Sequence, residues 1–62
     1  MNLLNLKSMK KYMVTVYFGN NSATYEIEGF LNINSDYFYF TKNGENIGIF
    51  PIKKTSIIQY YN

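Results

Sequence analysis

Apolar and polar residues alternate with period two along most of this chain. Tyr12, Val14, Val16 and Phe18 share one face, and Met13, Thr15 and Tyr17 share the other. That alternation belongs to a β-strand rather than to a helix. Gly19 to Ser22 then interrupt it with residues that favour turns. A second strand is expected with Ala23, Tyr25, Ile27, Leu31 and Ile33 inward and Glu26 and Glu28 outward. Gly29 falls in its middle, where a glycine commonly allows a bend or bulge.

The pattern continues after a turn at 34–36. Residues 37–40 read as a third strand, with Phe38 and Phe40 on one side and Tyr37 and Tyr39 on the other. Asn43-Gly44 fits the two-residue type I′ hairpin turn. A fourth strand is expected over 46–50. Pro51 has no amide hydrogen to give a ladder, so it predicts a corner, followed by one 3₁₀ turn. Residues 56–60 make a fifth strand. The first ten residues, with Leu3, Leu4, Leu6 and Met9, predict a short helix or an extension. The expected fold is all-β: a single domain over 1–62 with its β core at 12–61. It is a small five-stranded antiparallel SH3-like barrel or a strongly bent meander.

Size sharpens this picture. A chain of 62 residues hides only about 60% of the surface its unfolded form exposes. It has no cysteine for a disulfide and no Cys/His set for zinc. Stability must come from a dense aromatic core, from self-association, or from both. Five Phe, seven Tyr and seven Ile supply the material. Large apolar or aromatic residues occupy both faces of the first and third strands. That is more than one small core hides, so a homo-oligomer is expected.

Composition adds a hint of origin. Asn, Ile, Tyr, Lys and Phe make up 34 of the 62 residues. Their codons are largely A/T-rich, which points to an AT-rich bacterium, phage or mobile element. Net charge is +2 without a basic block, so nucleic-acid contact is allowed but not demanded. No run approaches the roughly 18 apolar residues of a membrane span. The opening MNLLNLKSMKKYMV lacks the layout of a signal peptide, so a cytoplasmic chain is expected. MKKYMV, from Met9, reads as a start in its own right.

Catalysis is not expected. Without His or Cys, the usual general base and thiol nucleophile are missing. Glu26 and Glu28 share a face at i, i+2, but a solvated strand surface explains them better than a metal site. No phosphate-binding glycine loop occurs, and no cofactor or metal is expected. Binding chemistry is better supplied. Tyr37 and Tyr39 lie opposite the Phe face, and Tyr60 and Tyr61 close the chain after Lys53 and Lys54. Tyrosines suit protein interfaces, and beside lysines they also suit stacked bases and phosphates.

Several stretches resemble the Sm-like barrels, including the Hfq-type RNA chaperones. Leu3-Leu4-Asn5 would stand in the family's N-terminal helix. VTVYFGN (14–20) is similar to its first strand and turn, SDYFYFTKN (35–43) to its third strand, and FPIKKTSI (50–57) to its last turn and strand. The resemblance implies a ring-shaped homo-oligomer, joined through strands four and five, that binds single-stranded RNA. The chain departs from the pattern in three places, one of them a turn after the first strand about three residues longer than the family's. Gly29 and Asp36 are seven residues apart rather than six, and Phe50-Pro51-Ile52 replaces the Hfq-type Tyr-Lys-His. GIFP (48–51) is also similar to SH3 domains, whose proline lies in a peptide-binding groove.

The expected function is therefore a non-enzymatic binding or adaptor module that acts on a protein partner. Single-stranded RNA and a small anionic ligand or nucleotide stand as alternatives.

Overall fold

The computed structural model describes residues 9–60. Its elements follow the chain as β1 (Lys10–Phe18), β2 (Asn21–Ile33), β3 (Tyr37–Lys42), β4 (Glu45–Pro51), a 3₁₀ turn (Ile52–Lys54) and β5 (Thr55–Gln59). The strands form one antiparallel sheet in the order β4-β3-β2-β1-β5. The all-β, five-stranded expectation holds. No described ladder joins β4 to β5, so the sheet is open and the barrel is not closed. The expected N-terminal helix falls largely on residues 1–8, outside the described residues. Lys10, which it was to include, begins β1 instead.

The sheet is arranged around β2. Its residues 21–29 pair with β1, and its residues 30–33 pair with β3. The change of partner comes at Gly29, which is buried. A β-carbon there would lie 2.8 Å from the Thr41 carbonyl oxygen and 3.4 Å from Ile47 Cδ1. Only a residue without a side chain lets β2 pass so near β3.

Most of the inward face follows the predicted alternation, but Tyr25 and Ile33, expected inward, are 49 and 62% exposed. Tyr12, Val14 and Phe40 are buried, and Val16, Ile27, Leu31, Phe50 and Ile57 pack against them. Phe40 joins the two halves: its ring is 5.5 Å from that of Tyr12 and 5.9 Å, edge-on, from that of Phe50. Such tilted contacts add to the hydrophobic gain of burial. On the outward face the side-chain amide of Asn32 reaches the carbonyls of Phe30 and Tyr39 and the Thr41 hydroxyl at 3.2–3.4 Å. This ties β2 to β3.

The Asn43-Gly44 hairpin forms as expected, with φ of +53° and +77°. Beyond it, Ile47 is the extra residue of a β-bulge, because Phe40 faces Gly48 whereas Thr41 faces Asn46.

Pro51 ends β4, opposite Tyr37, and the 3₁₀ turn follows it directly, as a proline at a strand's end predicts. The Ile52 amide donates to the Asp36 carbonyl at 3.0 Å, and antiparallel pairs alternate between bonded and non-bonded. Asp36 and Ile52 form a bonded position, so Tyr37 and Pro51 form a non-bonded one. The proline nitrogen therefore faces away from β3 and costs the ladder nothing. The Pro51 carbonyl accepts from the Thr55 hydroxyl at 2.6 Å. The chain turns at Ile52–Lys54 and returns along β1.

Candidate binding site

Two local devices bring the candidate residues together. Asn34 Oδ1 accepts from the amides of Asp36 and Tyr37 at 2.8 and 2.7 Å, an Asx-type turn that starts β3. The Asn34 amide in turn donates to the Tyr37 carbonyl at 3.0 Å. Across from it, the 3₁₀ turn is held to the same loop by the Ile52–Asp36 bond.

An open groove of about 380 Å³ lies between these turns, lined by Ser35, Asp36, Tyr37, Pro51, Ile52, Lys53 and Lys54. Tyr37 and Pro51 face one another in register and give it apolar surface. Lys53 and Lys54 are exposed and bring two positive charges against the one carboxylate of Asp36.

Three of the six candidate residues, Tyr37, Lys53 and Lys54, thus meet. Tyr39 shares the outward face of β3 with Tyr37, two residues on, but is half-buried between Asn32 and Ile49 and does not line the groove. Tyr60 lies elsewhere. Its amide donates to the Lys11 carbonyl at 2.8 Å, beyond the far end of β5 from the lysines. The expected grouping of Tyr60 with Lys53 and Lys54 does not form, because an extended strand separates them. Tyr61 lies outside the described residues.

Tyr60 has its own polar partner. Its hydroxyl bonds to the Glu26 carboxylate, which raises the phenol above its usual pKa. Partial desolvation and the charge of Glu26 push the same way. Glu26 is therefore engaged by a tyrosine, and Glu28 lies opposite Lys11.

Sequence reading missed Ser35, Asp36 and Ile52 as parts of the groove. No local signal marks them, since the groove exists only because two turns far apart in the chain are bonded together.

Apolar surface extends well beyond the groove. Ile33, Ile49 and Ile58 keep 62, 58 and 54% of their surfaces exposed, although Ile27, Leu31 and Ile57 pack against the core. Among the described residues no helix is long and apolar enough to cross a membrane. No protein-family model matches the chain, and neither does any curated protein or solved structure.

Proposed function

We propose that this chain is a non-enzymatic binding module that seats an extended, acidic segment of a partner protein in the Tyr37–Pro51 groove and acts by occupancy. One observation carries the reading: an open groove faced by an aromatic ring and a proline and edged by two exposed lysines. An aromatic–proline surface suits a flat, extended backbone, and the lysines select a carboxylate beside it. The groove's position at the β4–3₁₀ junction supports the SH3-like comparison more than the Hfq-type one. The exposed isoleucines support self-association, so the module is proposed to work as a homo-oligomer.

Titrating an acidic, proline-containing peptide by NMR tests this. The expected shifts centre on Tyr37, Ile52, Lys53 and Lys54, and Tyr37→Ala or Lys53→Gln with Lys54→Gln weakens binding. Shifts that avoid the groove overturn the reading. A- or U-rich single strands provide the contrast. Tighter binding to them, with affinity falling steeply as salt rises through counterion release, would replace the protein partner by RNA.

A further inference from the structure

The two edges of the sheet are unequal. On β4, Pro51 offers no N–H, and its carbonyl is taken by Thr55. The bulge at Ile47 breaks the register, and Asn46 Oδ1 folds back onto the Gly48 amide at 3.1 Å. Between the bulge and Pro51, only Ile49 turns a regular N–H and C=O outward. Proline and a bulge are the usual means of blunting an edge.

β5 carries no such protection. Its register with β1 and the Tyr60-to-Lys11 bond fix its parity: Ser56 and Ile58 bond to β1, while Thr55, Ile57 and Gln59 turn their backbone groups away from it. The Thr55 amide closes on the Ile52 carbonyl. The Thr55 carbonyl and both groups of Ile57 and Gln59 face an edge that no described strand covers.

We infer that the β5 edge is a self-pairing surface, on which β5 of a second copy docks antiparallel about a two-fold axis at Ile57. This gives the self-association proposed above an edge and a stoichiometry, and it rests on that reading. The register is self-complementary. Ile57 faces its own copy and exchanges both bonds with it, and the Gln59 amide reaches the Thr55 carbonyl on either side. Ser56 falls opposite Ile58, which covers part of an isoleucine now 54% exposed. Thr55–Gln59 has no charge to oppose itself. Lys54 falls opposite Tyr60 of the second copy rather than opposite a lysine. Because the β4 edge is blunted, sheet extension is one-sided. It closes at two copies instead of running on to a ring or fibre.

Amide exchange and native mass spectrometry of the full chain, across a concentration series, test the inference. The expected mass doubles from 7.3 kDa as concentration rises towards millimolar. Exchange at Ile57 and Gln59 slows in step, while Ser56 and Ile58 stay protected throughout. Ile58→Lys, a surface change, and Gln59→Pro, which removes only an outward N–H, each restore the monomer mass. Circular dichroism confirms that they remain folded. A ring of five to seven copies would keep self-association but overturn this edge. A monomer at all concentrations would overturn both, whereas Ile57 and Gln59 protection independent of concentration would overturn this edge. Tyr37→Ala, a groove change on β3 away from the β5 edge, leaves the doubled mass unchanged, so failure of peptide binding is read separately.

Discussion

A β-carbon on Gly29 would sit 2.8 Å from the carbonyl oxygen of Thr41, closer than two such atoms tolerate. The obstacle is backbone, not the end of a flexible side chain. Gly29→Ala therefore forces β2 and β3 apart where β2 changes partner. The expected loss is about 1–3 kcal/mol, the usual range for overpacking. Thermal melts check it: a domain of this size shifts by about 4–8 °C per kcal/mol. An unchanged midpoint would show that β2 bends without needing this contact.

Phe40 is buried completely and touches both Tyr12 and Phe50. Truncation to alanine costs about 3–5 kcal/mol. At roughly 0.05–0.15 kcal/mol per residue, a chain of 62 residues has about 3–9 kcal/mol in total. Phe40→Ala is expected to be largely unfolded by circular dichroism at room temperature.

Pro51 gives the opposite expectation. Its nitrogen faces the outer edge, so Pro51→Ala removes no ladder bond and changes stability by about 1 kcal/mol or less. It adds an outward N–H to the blunted edge. Light scattering is expected to show more association in this variant than in the parent.

Asn34 shapes the groove through two short backbone bonds. Asn34→Ala is expected to cost about 1–2 kcal/mol and to weaken peptide binding, while Asn34→Asp keeps the acceptor and the stability but weakens an acidic peptide through its added negative charge. Equal binding by all three chains would show that the groove does not need this turn.

The Tyr60–Glu26 bond has a pH signature. The folded chain holds the phenol proton more tightly than the unfolded chain, whose tyrosines titrate at about 10. The bond's contribution is therefore complete below that value and is lost as pH rises through the higher folded value. Glu26→Gln removes the carboxylate and is expected to bring Tyr60 back towards its ordinary titration, followed by NMR of its ring carbon.

What the sequence determined by itself was local. The period of two placed Val14 and Val16 inward, Asn43-Gly44 marked its hairpin, and Gly29 marked the bend, because each depends on neighbouring backbone and side-chain direction alone. Strand bounds shifted by one or two residues at Lys10, Glu45 and Thr55, where polar residues join a ladder that the alternation does not reveal. The tertiary structure decided the rest. It set β5 against β1 and left β4 and β5 unpaired, and it gathered Tyr37 with Lys53 and Lys54 while sending Tyr60 to Glu26. It also turned the backbone of Pro51 and Ile57 outward. A sequence carries the side-chain face of each residue, but the direction of its N–H and C=O becomes known only when a partner strand and its register are given.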